Sequence, residues 1–209
     1  MDYLILAISL GLAAGMSPGP LLTYTIVATL RGGLKAGISV GIAPLLTDVP
    51  IIVLSLLVLH ILPPSALRLL NVVGGAFVVY LGWETLRAGW RSPAVVVQED
   101  VDVRRELGRG VLVNFLNPNP YIFWGTVGGP ILLEAYRTSP VYAVGFLVLF
   151  YALLVGAHLG IALLVHRQRD ALRGVWYRRV LGLLGIVLIV IGLRLMGVVD
   201  WVGNVWGLR

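Results

Sequence analysis

The sequence Ser17-Pro18-Gly19-Pro20 interrupts the first long apolar stretch of the chain, and Asn117-Pro118-Asn119-Pro120 interrupts another such stretch one hundred residues later. A proline inside a helix removes one backbone donor and clashes with the carbonyl one turn earlier. Two prolines separated by one residue therefore predict a broken helix at each motif. The backbone groups freed at each break must find other partners, because a buried unpaired N–H or C=O is costly.

The composition places these breaks in a membrane. The chain has 209 residues, of which 58% are hydrophobic and 12% charged, and its mean hydropathy is +0.93. Soluble domains carry about 25% charged residues, so this chain cannot cover a water-facing surface. The composition excludes an ordinary cytosolic domain, a disordered protein and a nucleic-acid partner. The absence of cysteine excludes thiolate metal sites and thiol chemistry.

Six apolar stretches are long enough to cross a bilayer, which takes about 20 helical residues. Basic residues set their orientation, because cytoplasmic loops carry the excess of Lys and Arg. Twelve of the sixteen lie in the loops after the first, third and fifth stretches. We therefore expect a multi-pass protein of the cytoplasmic membrane with both termini outside. The stretches cover residues 3–30, 36–62, 67–88, 109–133, 140–165 and 178–199.

The order of the stretches predicts an internal repeat within one membrane domain. Residues 1–90 and 109–209 each hold three stretches, and a cytoplasmic loop of residues 91–108 joins them. Because three is odd, the two halves enter the membrane from opposite sides. The predicted fold is an all-α membrane protein of six transmembrane helices in two inverted three-helix repeats, with helices 1 and 4 broken. Paired breaks of this kind indicate a transporter binding site, and the alternative is a pair of simple proline kinks.

The two breaks also suit a zwitterion. Asn119 before Pro120 is a good N-cap and Gly19 before Pro20 a weaker one, so we expect each half-helix to begin again there. The start of a helix presents free N–H groups and the positive end of its dipole, which favour a carboxylate. Carbonyls freed before the break favour an ammonium group. The predicted substrate-binding residues of the breaks are Ser17, Pro18, Gly19, Pro20, Asn117, Pro118, Asn119 and Pro120.

Polar side chains inside the stretches complete the candidate site. Asp48 lies near the middle of the second stretch, where a carboxylate is costly and commonly functional. We expect it to bind the substrate ammonium or a coupling proton; the alternative is that it satisfies carbonyls freed by nearby prolines. Asn114 shares a helical face with Asn117 and either lines the cavity or joins helices. His158 is a second candidate for the coupling ion, with a helix–helix hydrogen bond as its alternative.

Two further patterns concern packing. Glu84 precedes Arg87 by three residues, which predicts an interfacial ion pair. Glycines recur every four residues at positions 33, 37 and 41 and at positions 156 and 160. This spacing lets helix backbones approach closely. The chain has no metal-ligand spacing, P-loop or dinucleotide fingerprint, so we expect no metal, no cofactor and no enzyme.

The chain resembles the LysE-type family of lysine and homoserine/threonine exporters. The Pro-Gly-Pro and Asn-Pro motifs carry this resemblance, together with the glycines that enter the second stretch. Thr47-Asp48-Val49 is similar to an acidic motif of basic-amino-acid exporters. Gly110 followed by Asn114-Phe115-Leu116-Asn117-Pro118 resembles the fourth stretch of the family. One position departs, because the family commonly has Lys after Asn-Pro where this chain has Asn119.

The resemblance implies export of amino acids or related small metabolites, driven by an ion gradient. We therefore expect a secondary transporter whose partners are an amino-acid substrate and the lipid bilayer; the sequence leaves homo-oligomerisation open. The alternative within the same superfamily is a small carrier or channel for metal or other ions. A membrane assembly subunit that transports nothing is a third reading.

Overall fold

The computed structural model describes residues 3–58, 64–91, 101–168 and 175–197. These residues are helical, with short turns between helices, and contain no strand. The helices are α1 (Tyr3–Met16), α2 (Pro20–Gly41), α3 (Ala43–Val58), α4 (Pro64–Arg91), α5 (Val103–Phe115), α6 (Pro118–Phe123), α7 (Gly129–Thr138), α8 (Pro140–Gln168) and α9 (Val175–Leu195). A π-helical turn, Trp124–Gly128, joins α6 to α7.

The first motif separates α1 from α2, because α1 ends at Met16 and α2 begins at Pro20. The second motif separates α5 from α6, because α5 ends at Phe115 and α6 begins at Pro118. The start of α2 at Pro20 agrees with the prediction from the sequence. The start of α6 at Pro118 does not, since the predicted start was Pro120 with Asn119 as its cap. The cap is Asn117, whose side-chain Oδ1 accepts from the backbone N–H of Asn119 at 3.1 Å.

The correction has a simple physical reason. The first residues of a helix have no intrahelical acceptor for their N–H groups, so proline fits there without losing a hydrogen bond. Pro118 and Pro120 both lie within the first turn of α6. Asn117 and Asn119 are each followed by proline, so both qualify as caps by sequence. The earlier cap places both prolines in the turn that tolerates them.

Gly33 makes the chain turn within α2. Its φ of 76° and ψ of −171° are not helical, and glycine reaches positive φ without steric cost. The segment after the turn packs against the segment before it. Gly37 shows this, since a Cβ added there would collide with the Thr29 hydroxyl. The expected loop between the first two apolar stretches is therefore a single glycine turn.

Glycines set the closest helix contacts. A Cβ at Gly82 would lie 2.7 Å from the carbonyl oxygen of Gly185, and one at Gly75 would lie 2.5 Å from that of Gly192. These contacts join α4 to α9. The tight packing expected at residues 37 and 41 is confirmed, whereas that expected at 156 and 160 is wrong, because an added Cβ there would meet nothing within 4 Å.

By length and composition, two helical stretches within the described ranges could cross a membrane, Pro20–Leu57 and Pro140–Gln168. The first of them is interrupted by the turn at Gly33. Many large apolar side chains also point away from the protein interior. Leu57, Val49 and Val141 are 68%, 65% and 76% exposed. An apolar outer surface of this extent marks contact with lipid or protein rather than with water.

Candidate functional site

A cavity of about 390 Å³ lies where the two helix breaks meet. Its polar lining comes from both breaks, from α3, from α5 and from α8. Nine of the residues that the sequence singled out line it: Ser17, Gly19, Pro20, Asp48, Asn114, Asn117, Asn119, Pro120 and His158. Pro18, which is exposed, and Pro118, which is buried, are the two that do not line it. Their part in substrate binding stays a prediction.

The first break contributes an uncapped helix start. Gly19 has an extended backbone, with φ −142° and ψ −179°, and no side chain caps the helix there. Its carbonyl accepts from the Thr23 N–H at 3.0 Å, which closes the first helical hydrogen bond. Leu21 and Leu22 precede Thr23 and line the cavity. The first turn of α2 thus begins at the cavity wall without a capping side chain.

At the second break, more of the backbone groups are hydrogen-bonded than at the first. Asn117 caps α6 with its side chain, and its own N–H donates to the Asn114 carbonyl at 3.2 Å. The Tyr121 hydroxyl donates to the carbonyl of Phe115 at 2.9 Å. These bonds satisfy backbone groups that the interrupted helix would otherwise leave unpaired. The amide side chains of Asn114, Asn117 and Asn119 remain on the cavity lining.

Asp48 is 4% exposed and is surrounded by donors. Its Oδ1 accepts from Asn114 Nδ2 at 2.8 Å and lies 3.3 Å from Thr47 Oγ1, whose one proton is shared with the Ala43 carbonyl. Its Oδ2 accepts from the Tyr151 hydroxyl at 2.9 Å. The carboxylate therefore ties α3 to α5 and to α8. Among the described residues that line the cavity, Asp48 is the sole carboxylate, and neither Lys nor Arg occurs.

His158 lies on the same wall, 4% exposed. Its Nδ1 has no hydrogen-bond partner within the part of the chain that the structure describes. The helix beside it approaches closely, because a Cβ added at Gly41 would lie 3.2 Å from the Cβ of His158. The imidazole is thus enclosed between α8 and α2 at the edge of the cavity.

Tyr151 and Thr47 are site residues that the sequence analysis missed. Tyr151 and His158 are seven residues apart on α8, which places them on one helical face. Two polar side chains at that spacing in an otherwise apolar helix are a usable signal. Thr47 is a weaker case, because a threonine beside an aspartate in a helix commonly bonds to the preceding turn. It does so here, donating to the Ala43 carbonyl at 3.1 Å.

A second polar cluster lies outside the cavity lining, and the sequence did not predict it. Arg109 donates to both carboxylate oxygens of Glu84, at 2.8 and 3.1 Å, and to Glu106 at 3.2 Å. Glu106 also accepts from the Tyr24 hydroxyl at 2.7 Å, and Arg31 lies 3.3 Å from Glu84. The expected partner of Glu84 was Arg87. That expectation is wrong, because the partners come from α2 and α5, which sequence spacing along α4 does not reveal.

The described part of the chain is helical, has an apolar outer surface and holds a polar cavity at two helix interruptions, which is the arrangement of a membrane carrier. The sequence model of the LysE type translocator family matches residues 12–197. The chain therefore belongs to this family, whose members are transporters embedded in membranes.

One curated relative is the chemotactic transduction protein ChpE of Pseudomonas aeruginosa. It is 27% identical to this chain over 127 residues, which are 60% of this chain. The match spans 63% of the length of that relative. No solved structure matches the chain.

Proposed function

We propose that this translocator is a secondary active transporter that exports amino acids or related small zwitterions across the cytoplasmic membrane. One observation carries the proposal: a single cavity gathers residues of both helix breaks and the buried carboxylate of Asp48. A zwitterion needs a positive and a negative binding partner within a few ångströms. The lining supplies a carboxylate on one side and a helix start on another.

The carboxylate of the substrate binds at the start of α2. Gly19 leaves the first N–H groups of this helix without a side-chain cap, and the following residues, Leu21 and Leu22, line the cavity. Free N–H groups and the positive end of the helix dipole attract an anion. The side-chain amides of Asn117 and Asn119 offer further donors in the same cavity.

The ammonium group of the substrate binds to Asp48. Asn114 and Tyr151 donate to this carboxylate, and the Thr47 hydroxyl and the Trp124 side chain also lie within bonding reach of it. These neutral donors leave the negative charge of Asp48 uncompensated, and this charge attracts the ammonium group. A proton competes for the same carboxylate, so protonation of Asp48 releases the amino acid. His158, Tyr151 and Tyr121 are the other titratable groups beside it, and His158 is a second candidate for the coupling ion.

The two halves of the chain form inverted repeats that rock about this site. The last helix of each half is α4 or α9, and the contact between these two helices supports the inverted repeat. Their glycines contact each other in both directions. A Cβ on Gly82 meets the carbonyl of Gly185 at 2.7 Å, and one on Gly185 meets the carbonyl of Gly82 at 2.8 Å. A close, symmetric contact between the last helices of the two halves is compatible with a pseudo-two-fold axis between them.

The proposal is tested with purified protein in proteoliposomes. Liposomes loaded with each of the protein amino acids are diluted into buffer with a pH gradient, and efflux of the labelled amino acid is measured against protein-free liposomes. We expect saturable efflux of at least one amino acid that depends on the gradient. Absence of amino-acid efflux from correctly inserted protein contradicts the proposal, and ion flux alone identifies an ion carrier instead.

A further inference from the structure

The residues that line the cavity can be grouped into a polar part and an apolar part. The polar part comprises Asp48, His158 and the amides of the second break. Within the apolar part, one group of side chains comes from α1, α6, the π-helical turn and α8. We call it the apolar wall: Leu10, Ala14, Phe123, Trp124, Phe150 and Leu154.

Close helix packing builds the apolar wall. A Cβ at Gly11 would lie 2.7 Å from the Phe150 carbonyl, and one at Gly15 would lie 2.7 Å from the Leu154 carbonyl. These two glycines therefore let α1 press against α8 along the same turns that carry the wall. The side chains of Phe150 and Leu154 are 1% and 8% exposed, so the wall is fixed by packing.

Three aromatic rings give the apolar wall its shape. Phe123 stacks on Phe150 with ring centroids 5.4 Å apart, and Trp124 meets the same ring edge-on at 5.3 Å. Mutual contacts of this kind hold aromatic rings in defined positions. The rings of Phe123 and Phe150 have only carbon atoms to present to a ligand, and the Trp124 side chain already bonds to Asp48 and Tyr151.

The charge of the lining restricts the ligand further. Asp48 is the one carboxylate among the described lining residues, and its charge is matched by a single ammonium group. A second ammonium, or a second carboxylate, on the ligand side chain would lie against the apolar wall without a partner. Burying an unpaired charge is far more costly than burying an apolar group.

We propose that the substrate is an amino acid with an uncharged, apolar side chain, which lies against the apolar wall while its ammonium and carboxylate groups lie in the polar part. This inference rests on the proposed function and names its substrate class. The cavity volume of about 390 Å³ is at the small end of ligand sites, which span roughly 300–1,000 Å³, and suits a molecule of amino-acid size.

Three amino acids of matched chain length test the inference. L-norleucine ends in a methyl group, L-lysine in an ammonium group and L-2-aminoadipate in a carboxylate. Each is used to compete with efflux of the labelled amino acid that the purified protein transports best. We expect norleucine to compete at a concentration at least about tenfold lower than lysine or aminoadipate, since each tenfold step is about 1.4 kcal/mol. Stronger competition by either charged analogue overturns the inference.

A matched pair of variants locates the side-chain contact. Leu154→Gln places an amide in the apolar wall, and Leu164→Gln places the same amide at an exposed position of the same helix. We measure the ratio of norleucine to glutamine competition, which does not depend on how much protein inserts. Leu154→Gln is expected to lower the ratio about tenfold, and Leu164→Gln to leave it unchanged. An unchanged ratio in both variants excludes the wall as the side-chain site.

The two proposals fail in different ways. If no amino acid moves in the wild-type protein, the proposed function is wrong. If amino acids move but lysine or aminoadipate is preferred, the proposed amino-acid export is upheld and the substrate class inferred from the apolar wall is wrong.

Discussion

Asp48 accepts from Asn114 on one oxygen and from Tyr151 on the other, yet lies in a cavity whose described lining offers no Lys or Arg. Donors of this kind stabilise a carboxylate without neutralising its charge. Asparagine keeps one acceptor oxygen but turns an NH2 group toward the other donor, so in a structural role it would cost stability and leave transport by the folded protein intact. In an aspartate that binds an ammonium group or a proton, the same change would reduce transport itself.

We therefore expect Asp48→Asn to fold and insert but to transport poorly. Losing a hydrogen bond to a charged group costs roughly 1.5–3 kcal/mol, which corresponds to a fall of about tenfold to hundredfold in apparent affinity. The measurement is amino-acid efflux from proteoliposomes between about pH 5 and about pH 8, since protons and substrate compete for the group. Glu134→Gln, the same chemical change at an exposed position on α7, is the matched control. Wild-type transport and pH dependence in Asp48→Asn would assign Asp48 a structural role.

Asp48 could be predicted from the sequence because a lone carboxylate in an apolar stretch is itself the signal. The donors around Asp48 could not be predicted from the sequence. Tyr151 reaches Asp48 from 103 residues away and Asn114 from 66, and a single sequence carries no record of such pairings. The polar cluster around Arg109 was missed for the same reason, because its members lie on α2, α4 and α5.

The break before α6 shows how a helix start is decided by position as well as by residue type. Asn117 caps the helix through the Asn119 N–H, whereas Asn119 lies inside the first turn. Both prolines then lie where no intrahelical acceptor is lost. The sequence predicted a break here, but not which asparagine is the cap, because both are followed by proline.

Replacement of each asparagine separates the two roles. Asn117→Ala removes the cap and should lower the free energy of unfolding by about 1 kcal/mol, whereas Asn119→Ala should change it by less than about 0.5 kcal/mol. Thermal or denaturant unfolding in detergent measures both. Asn117→Asp retains a capping oxygen and should recover most of the loss. Equal effects of the two alanine variants would contradict the observed cap.

Contacts between α4 and α9 are set by glycine rather than by large side chains. A Cβ at Gly82 would lie 2.7 Å from the backbone of α9, so one helix would have to shift. The glycines of α8 at 156 and 160 have the spacing of a packing motif but face open space. Spacing alone therefore predicts that a helix can pack closely, but not which face finds a partner.

This difference predicts opposite effects of one substitution. Gly82→Ala should destabilise the protein by about 1–3 kcal/mol through overpacking. Gly156→Ala should stabilise it by about 0.5–1 kcal/mol, because alanine favours a helix and meets no neighbour. Unfolding of both variants in the same detergent provides the comparison. A stable Gly82→Ala protein would show that α4 and α9 are free to separate.

At the scale of the whole molecule, orientation in the membrane rests on the distribution of basic residues. Arg31 and Arg109 both count toward the predicted cytoplasmic side, yet both pair with acidic residues in the structure. These ion pairs do not weaken the prediction of orientation, because the positive-inside rule counts Lys and Arg and depends little on Asp and Glu. By sequence, the other ten basic residues of the predicted cytoplasmic side follow the first, third and fifth apolar stretches, and four basic residues belong to the predicted opposite side.

We therefore expect reporter domains fused after residue 209 and inserted between residues 91 and 105 to lie on opposite sides of the membrane, the first outside and the second inside. A fluorescent reporter that matures only in the cytoplasm and an enzyme active only outside it give complementary readings at each position. The prediction tests the span count as well as the orientation, because six spans with an inner central loop put both termini outside. Reporters on the same side would give the second half an even number of spans. That half could then not be a three-span repeat of the first, and the two breaks would have to be explained without a repeat of three helices in each half.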